Sequence, residues 1–175
     1  MIIIKNKKCS IEKIRSEYPN CSIIDVTSKA QDEFIRLSPF YPVMNIPIPG
    51  LTLTSASVEG IWQGLKVFEN EGICLDSFRN QTMKGLKRTC RTHGLCKGHK
   101  YGNELLGYIE ARQKIYVPTY NWVLEYKCSD LIKKIKVMSN NRDVILLDYD
   151  TNDDILDSRT PLSHASLIKK YIENL

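Results

Sequence analysis

The sequence predicts a helix-rich α+β fold with a few short strands, built as a single compact domain. The chain has 175 residues, of which 42% are hydrophobic, and this supports one core but is too short for two domains of ordinary size. Several segments repeat apolar residues at steps of three and four, as amphipathic helices do, and shorter runs are rich in β-branched residues. Because no linker, repeat or low-complexity tract separates these segments, we expect one domain over 1–175.

The first part of the chain predicts alternating short strands and helices. Ser10 is placed to cap the first helix, and Pro19 is placed to end it. The proline-rich run SPFYPVMNIPIPG cannot hold a regular strand or helix, so we expect it to be extended and irregular. The predicted elements are a strand at 1–5, a helix at 10–18, a strand at 22–28, a short helix at 32–36 and the irregular segment at 38–50.

The segment TSASVEGIWQGLKVFE, residues 54–69, predicts a helix with an unusual surface. Thr54 or Ser55 is placed to cap its first turn. Its glycines, Gly60 and Gly64, each weaken a helix by about 1 kcal/mol relative to alanine, so they need a reason. Either a ligand or a neighbouring backbone comes close to them, or they serve helix packing and Glu59 is an acid that the helix dipole favours near the N-terminus. The core face would consist of Val58, Ile61, Trp62, Leu65 and Phe68. A separate polar stripe would consist of Glu59, Gln63 and Lys66.

The second half predicts further helices and one clear strand. The run NELLGYIEARQKIYV predicts a helix that Pro118 ends, and the apolar spacing of 121–139 predicts more helical turns. DVILLDYD is the clearest strand of the chain, and Ser163 is placed to cap a last amphipathic helix, HASLIKKYIENL.

Composition and charge exclude several classes of protein. No apolar run approaches the roughly 18 residues that span a bilayer, and MIII is followed at once by KNKK, so we expect neither a signal peptide nor a membrane segment. We therefore expect a cytoplasmic protein whose six cysteines are reduced. The net charge of +5 is too small for a general nucleic-acid binder, although a flipped, modified DNA base remains a candidate substrate.

The basic stretch MKGLKRTCRTHGLCKGHKYG allows three interpretations. A ladder of Cys90, His93, Cys96 and His99 has residue types that bind zinc, but an even three-residue spacing does not readily wrap four ligands around one ion, so we predict no metal site. A solvated basic face explains the lysines but not the glycine-bracketed GHKYG. We expect a flexible glycine-bearing loop over 87–102 that binds phosphate, with Lys87, Arg88, Lys97, His99, Lys100 and Tyr101 as its candidate contacts.

The acidic stretch LLDYDTNDDILD follows the predicted strand. Polar side chains after such a strand often meet a ligand, and Asn152 and Asp157 are among them. The spacing is not that of an EF-hand, so we do not expect calcium. In the following PLSHAS, Ser163 and His164 either cap the last helix or contact the ligand.

These parts, in this order, resemble the NADAR family, whose members are N-glycosidase-like proteins that act on ADP-ribose-related molecules. The spacing Ser57-x-Glu59-x-x-x-Gln63-x-x-Lys66-x-Phe68, preceded by SPFYP, is similar to the family signature, and the resemblance covers about residues 34–173. More narrowly, SPFYP, SVEGIWQGLKVFE, GHKYG, LLDYDTN and PLSHASL together resemble an uncharacterised NADAR-related family.

The resemblance implies hydrolysis of an N-glycosidic bond in an ADP-ribose-related or phosphoribosyl nucleotide, without a cofactor. Such cleavage needs a carboxylate that activates water and groups that stabilise an oxocarbenium-like centre. Glu59 and Asp157 are the implied catalytic residues, with the pKa of Glu59 raised in a cleft. Gln63 and Lys66 would bind ribose and phosphate, and Tyr41 would line the site. We expect a monomer or weak oligomer in which Glu59, the 87–102 segment and the 148–164 segment converge on one cleft.

Three departures from the family pattern keep a second function open. Gly60 stands where the family has histidine, the family tryptophan near the acidic loop is missing, and PLSHAS replaces Asn-Arg-Leu-Gly. Trp62 either takes over the stacking role or belongs to the core. The alternative function is a non-catalytic binder of an ADP-ribose-derived or modified nucleotide.

Overall fold

A computed structural model describes all residues, 1–175, and confirms the helix-rich α+β class with small sheets. The chain forms two compact units, residues 1–38 with 124–175, and residues 39–123. In chain order the elements are β1 (Ile2–Asn6), α1 (Ile11–Glu17), β2 (Ser22–Asp25), a 3-10 turn (Glu33–Leu37), β3 (Ile46–Pro47), β4 (Thr54–Ser55), α2 (Val58–Gly64), β5 (Lys66–Phe68), α3 (Leu75–Arg79), α4 (Cys90–His93), β6 (Cys96–Tyr101), β7 (Glu104–Leu106), α5 (Tyr108–Ala111), a π-helical segment (Arg112–Tyr116), α6 (Val117–Tyr126), α7 (Ser129–Asn141), β8 (Val144–Asp148) and α8 (His164–Glu173). None of the helices combines the length and apolar character that crossing a bilayer requires.

The first unit is built on a parallel three-stranded sheet in the order β1-β8-β2. Val144 of β8 lies opposite Ile2 on one side and Ser22 on the other. Every residue of β8 is buried, as expected for the central strand of a parallel sheet. Ser10 and Ser163 cap α1 and α8 with their side chains, as the sequence predicts.

The second unit holds two small antiparallel sheets and the polar-striped helix α2. The predicted helix over 54–69 is wrong at both ends, because residues 54–55 pair with β3 and residues 66–68 pair with β6. Ser57, rather than Thr54 or Ser55, caps α2 by accepting a hydrogen bond from the backbone of Gly60. Strand pairing with residues outside the segment has therefore overridden a helical pattern at these ends.

The basic stretch is more ordered than the loop that the sequence predicts. It contains the short helix α4 and the strand β6, which turns at Gly102 with φ 54° to pair with β7. Gly98 also has a positive φ, and a Cβ there would lie 2.5 Å from the carbonyl oxygen of Leu106. The glycines of GHKYG thus serve the hairpin, and the prediction of a flexible loop over 87–102 is wrong.

Pro118 does not end a helix, contrary to the sequence prediction. The helix begins at Tyr108, after a strand at 104–106, and runs through Pro118 into α6. Because proline lacks the N–H for the usual bond to the fourth residue before it, the backbone needs a local adjustment. That adjustment is the π-helical segment Arg112–Tyr116, a feature often found at functional sites.

Candidate functional site

The predicted site residues divide between the two units, and each group has its own neighbours. In the first unit the group is Asn152, Asp157, Ser163 and His164, and in the second it is Tyr41, Glu59, Trp62, Gln63, Lys66, Lys87, Arg88, His99, Lys100 and Tyr101. The second group contains the polar stripe, and its members contact one another most directly.

The polar stripe of α2 is a connected relay of side chains. Gln63 Nε2 donates to Glu59 Oε1 at 2.7 Å, and Lys66 Nζ donates to Gln63 Oε1 at 2.9 Å. The glutamate and glutamine lie one helical turn apart, which is why their side chains meet. Glu59 is 8% exposed, so this carboxylate is largely withdrawn from water and is held in one orientation.

Lys66 extends the relay from α2 into strand β5. Burial lowers the pKa of its ammonium, while the negative charge of Glu59 opposes that change. Its strand position lies directly opposite His99 of β6 in the antiparallel register. The relay therefore runs from the carboxylate on the helix to a lysine that is the strand neighbour of His99.

His99 is buried and stacked, yet its ring nitrogens have no hydrogen-bond partner. The ring centroids of His99 and Trp62 are 3.9 Å apart, with the planes tilted by 31°. Burial, followed by the charge of Lys66, lowers the pKa of His99 to about 3. Both Nδ1 and Nε2 are orphaned in an imidazole that is 1% exposed, and each unmet polar atom costs about 1–3 kcal/mol.

Aromatic residues of the π-containing helix complete the surroundings of Trp62. Tyr108 and Tyr116 meet the indole edge-on, with centroid distances of 5.7 and 5.5 Å. The buried guanidinium of Arg112 lies over the Tyr108 ring at 4.6 Å and donates to its hydroxyl. Sequence reasoning missed these three residues, although their four-residue spacing in GYIEARQKIY places them on one helix face.

The two glycines of α2 allow neighbouring protein groups to approach. A Cβ at Gly60 would lie 2.6 Å from the backbone oxygen of Ser77, and a Cβ at Gly64 would lie 2.2 Å from Cε1 of Phe78. Of the explanations that the sequence left open, close approach of protein accounts for both glycines. Their presence is thus no evidence for a ligand.

Arg88 braces the unit instead of presenting its charge to solvent. Its guanidinium donates to the backbone oxygens of Gln63, Lys66 and Gly72 at 3.0, 2.9 and 2.8 Å, and it pairs with Glu71 at 3.3 Å. Its backbone N–H also donates to the side chain of Gln63 at 3.0 Å. Arg88 therefore positions the relay, and we do not assign phosphate binding to it.

The remaining predicted contacts of the second unit are Tyr41, Lys87, Lys100 and Tyr101. Lys87 is exposed, and Lys100 and Tyr101 are half-buried next to His99 on β6. The backbone N–H of Lys100 bonds to the carbonyl of Leu65 at 2.8 Å, which ties β6 to the end of α2. Tyr41 is half-buried in the proline-rich segment.

In the first unit Ser163 and His164 serve a buried ion pair. Ser163 Oγ donates to Asp148 Oδ2 at 2.8 Å, and His164 Nδ1 lies 3.0 Å from the same oxygen. The other ring nitrogen of His164 is 2.7 Å from the carbonyl of Val26. Through Asp148 and Val26 these two side chains link β8, the end of β2 and the start of α8.

Asp148 and His164 stabilise one another's charged forms. Burial alone would lower the pKa of His164, but the charge of Asp148 and its hydrogen bond raise it. Burial works to raise the pKa of Asp148, but His164, Ser163 and the backbone of Ala165 hold it below its usual value.

Asn152 and Asp157 organise the acidic loop itself. The Asn152 amide donates to the carbonyls of Asp157 and Thr160 at 3.0 and 3.1 Å, and its Oδ1 accepts from the backbone of Asp154. Asp157 binds the guanidinium of Arg159 through two 2.8 Å hydrogen bonds. These contacts give both residues a role in the shape of the loop.

Comparison with known proteins places the chain in a family without adding an activity. A search of curated protein sequences gives no match. The model of DUF6939, described as a family of unknown function, matches residues 6–168, which is nearly the whole chain. The chain therefore belongs to DUF6939, a family of unknown function.

Proposed function

We propose that this protein is an N-glycosidase-like hydrolase of an ADP-ribose-related or phosphoribosyl nucleotide, as its resemblance to the NADAR family implies. The observation that carries the proposal is the relay on α2, in which a largely buried Glu59 is oriented by Gln63 and linked to Lys66. Glu59, rather than Asp157, is the reacting carboxylate, because Glu59 is largely buried within the relay whereas Asp157 pairs with the exposed Arg159. The protein works as a monomer or weak oligomer in the cytoplasm.

The relay and its aromatic neighbours supply the groups that this reaction needs. Glu59 directs water at the anomeric carbon and takes its proton, and the charge of the carboxylate stabilises the oxocarbenium-like centre. Lys66 attracts the phosphate or a developing negative charge on the leaving base. The half-buried indole of Trp62 offers a surface on which the base stacks.

A non-catalytic binder is the second candidate, and one observation favours it. The family glutamate is usually followed by histidine, but Gly60 leaves no room for any side chain beside Ser77. If that histidine is required for bond cleavage, the same site holds a nucleotide without cleaving it.

One experiment separates the two candidates. The protein is incubated with a panel of ADP-ribose, ADP-ribosylated bases, phosphoribosyl nucleotides and an oligonucleotide with a modified base, and is then denatured. We expect free base and sugar phosphate in amounts well above the protein concentration. Intact nucleotide recovered in a one-to-one amount would contradict hydrolysis and support the binder, and recovery of neither would contradict both.

A further inference from the structure

The His99 ring is stacked on Trp62, and both of its nitrogens are buried without a hydrogen-bond partner. Native proteins rarely leave such atoms unmatched without a functional reason or a bound molecule. The edge of this ring is therefore where a partner from outside the chain has something to bind.

The protonation of His99 restricts the chemistry of that partner. With its pKa lowered to about 3, the imidazole is neutral near pH 7 and has one N–H donor and one acceptor. An ionised phosphate oxygen only accepts hydrogen bonds, so it can meet only the protonated nitrogen. A hydroxyl or an amide can both donate and accept, so it fits either nitrogen in either tautomer.

The ammonium of Lys66 is suited to bind the anionic end of a ligand. It lies opposite His99 in the register of β5 and β6, so a charged and an uncharged recognition group are neighbours. Trp62 covers the imidazole and is itself only half-buried.

We propose, on the basis of the proposed function, that His99 recognises an uncharged hydrogen-bonding group of the nucleotide, a sugar hydroxyl or a heterocyclic amide, while Lys66 serves the anionic end. The group reaches the ring edge when the indole of Trp62 turns aside. His99 is thus a specificity residue that distinguishes the nucleoside part from phosphate, and it does not act as an imidazolium acid.

The substitution His99→Phe tests this proposal because it keeps a stacking ring and removes both orphaned nitrogens. We expect the unliganded variant to melt at or above the temperature of the wild type, and its dissociation constant for ADP-ribose to rise at least tenfold. The dissociation constant for inorganic pyrophosphate should stay within twofold. The matched control is His93→Phe: His93 pairs with Glu71, so the control should melt lower and keep its affinity for ADP-ribose.

Unchanged affinity of His99→Phe for ADP-ribose would overturn the proposal. A second measurement does not depend on the folding of the variant, because it uses the wild-type protein. It follows the ring ¹⁵N resonances of His99 as ligands are added. Ribose 5-phosphate should shift them if the group is a hydroxyl, and nicotinamide should shift them if it is an amide. Resonances that neither compound moves, or that pyrophosphate moves as far, would contradict the assignment.

The outcomes also separate this inference from the proposed function. If Glu59-dependent turnover is found while His99→Phe binds as the wild type does, the inference fails and the hydrolase proposal stands. If no nucleotide binds the wild-type protein, both fail.

Discussion

Replacing Asp148 with alanine should lower the free energy of unfolding by about 3–5 kcal/mol, because it leaves a buried histidine without its counter-charge. The side chain of Asp148 is 5% exposed and accepts from Ser163, His164 and the backbone of Ala165. All of these donors lose their partner at once. Chemical denaturation followed by circular dichroism measures the change, and a loss below about 1 kcal/mol would show that Asp148 does not hold this unit together.

A matched control and a pH series sharpen that test. Asp130→Ala removes an ion pair with Arg36 in which the aspartate is 59% exposed, so it should cost at most about 1 kcal/mol. Because the pKa of His164 is raised, its stabilisation is complete below 6.5 and is lost as pH rises through the folded-state value. Because the pKa of Asp148 is lowered, its stabilisation is present above 3.8 and is lost as pH falls through the folded-state value. Asp148→Ala should remove the loss of stability at low pH, and without the aspartate the opposing effect of burial on the pKa of His164 should come to the fore.

Gly64→Ala should destabilise the protein by about 1–3 kcal/mol, although alanine is the better helix former. Helix propensity favours the substitution by about 1 kcal/mol. The new Cβ, however, would lie 2.2 Å from a ring carbon of Phe78, which is 3% exposed and has little room to move. Thermal or urea denaturation decides which effect is larger, and a more stable variant would contradict the packing explanation of the glycine.

Gly72→Ala is the control for this experiment. A Cβ at Gly72 meets nothing within 4 Å, so the substitution brings the conformational benefit of alanine without a clash. We expect a change between zero and a gain of about 1 kcal/mol.

Local patterns predicted the elements that depend on local chemistry. The strand β8 and the serine caps of α1 and α8 are confirmed. Both kinds of feature depend on only a few consecutive residues. The ends of α2 were not predictable in this way, since β4 and β5 owe their conformation to strands elsewhere in the chain. Pro118 misled for a related reason, because the π-helical segment that accommodates it has no simple sequence pattern.

The candidate site was predictable in its residue types more than in its contacts. The pair Glu59 and Gln63 followed from helical spacing, whereas Lys66 joins the relay from strand β5, which that spacing did not predict. That Lys66 faces His99 depends on strand register, which the sequence does not state. Arg88 looked like a phosphate ligand because its charge is evident from the sequence. The backbone carbonyls that accept hydrogen bonds from its guanidinium are not.

The measurement that tests the central claim most directly is turnover by Glu59→Gln, followed together with nucleotide binding. Glutamine keeps an oxygen for the hydrogen bond from Gln63 but cannot take a proton from water, so turnover should fall by at least a hundredfold while the dissociation constant stays within a fewfold. Glu110→Gln, an exposed glutamate of the same unit that pairs only with the exposed Lys114, should keep wild-type turnover. If Glu59→Gln retained turnover within tenfold, a difference of about 1.4 kcal/mol, Glu59 would not be the base and the account of the relay would be wrong.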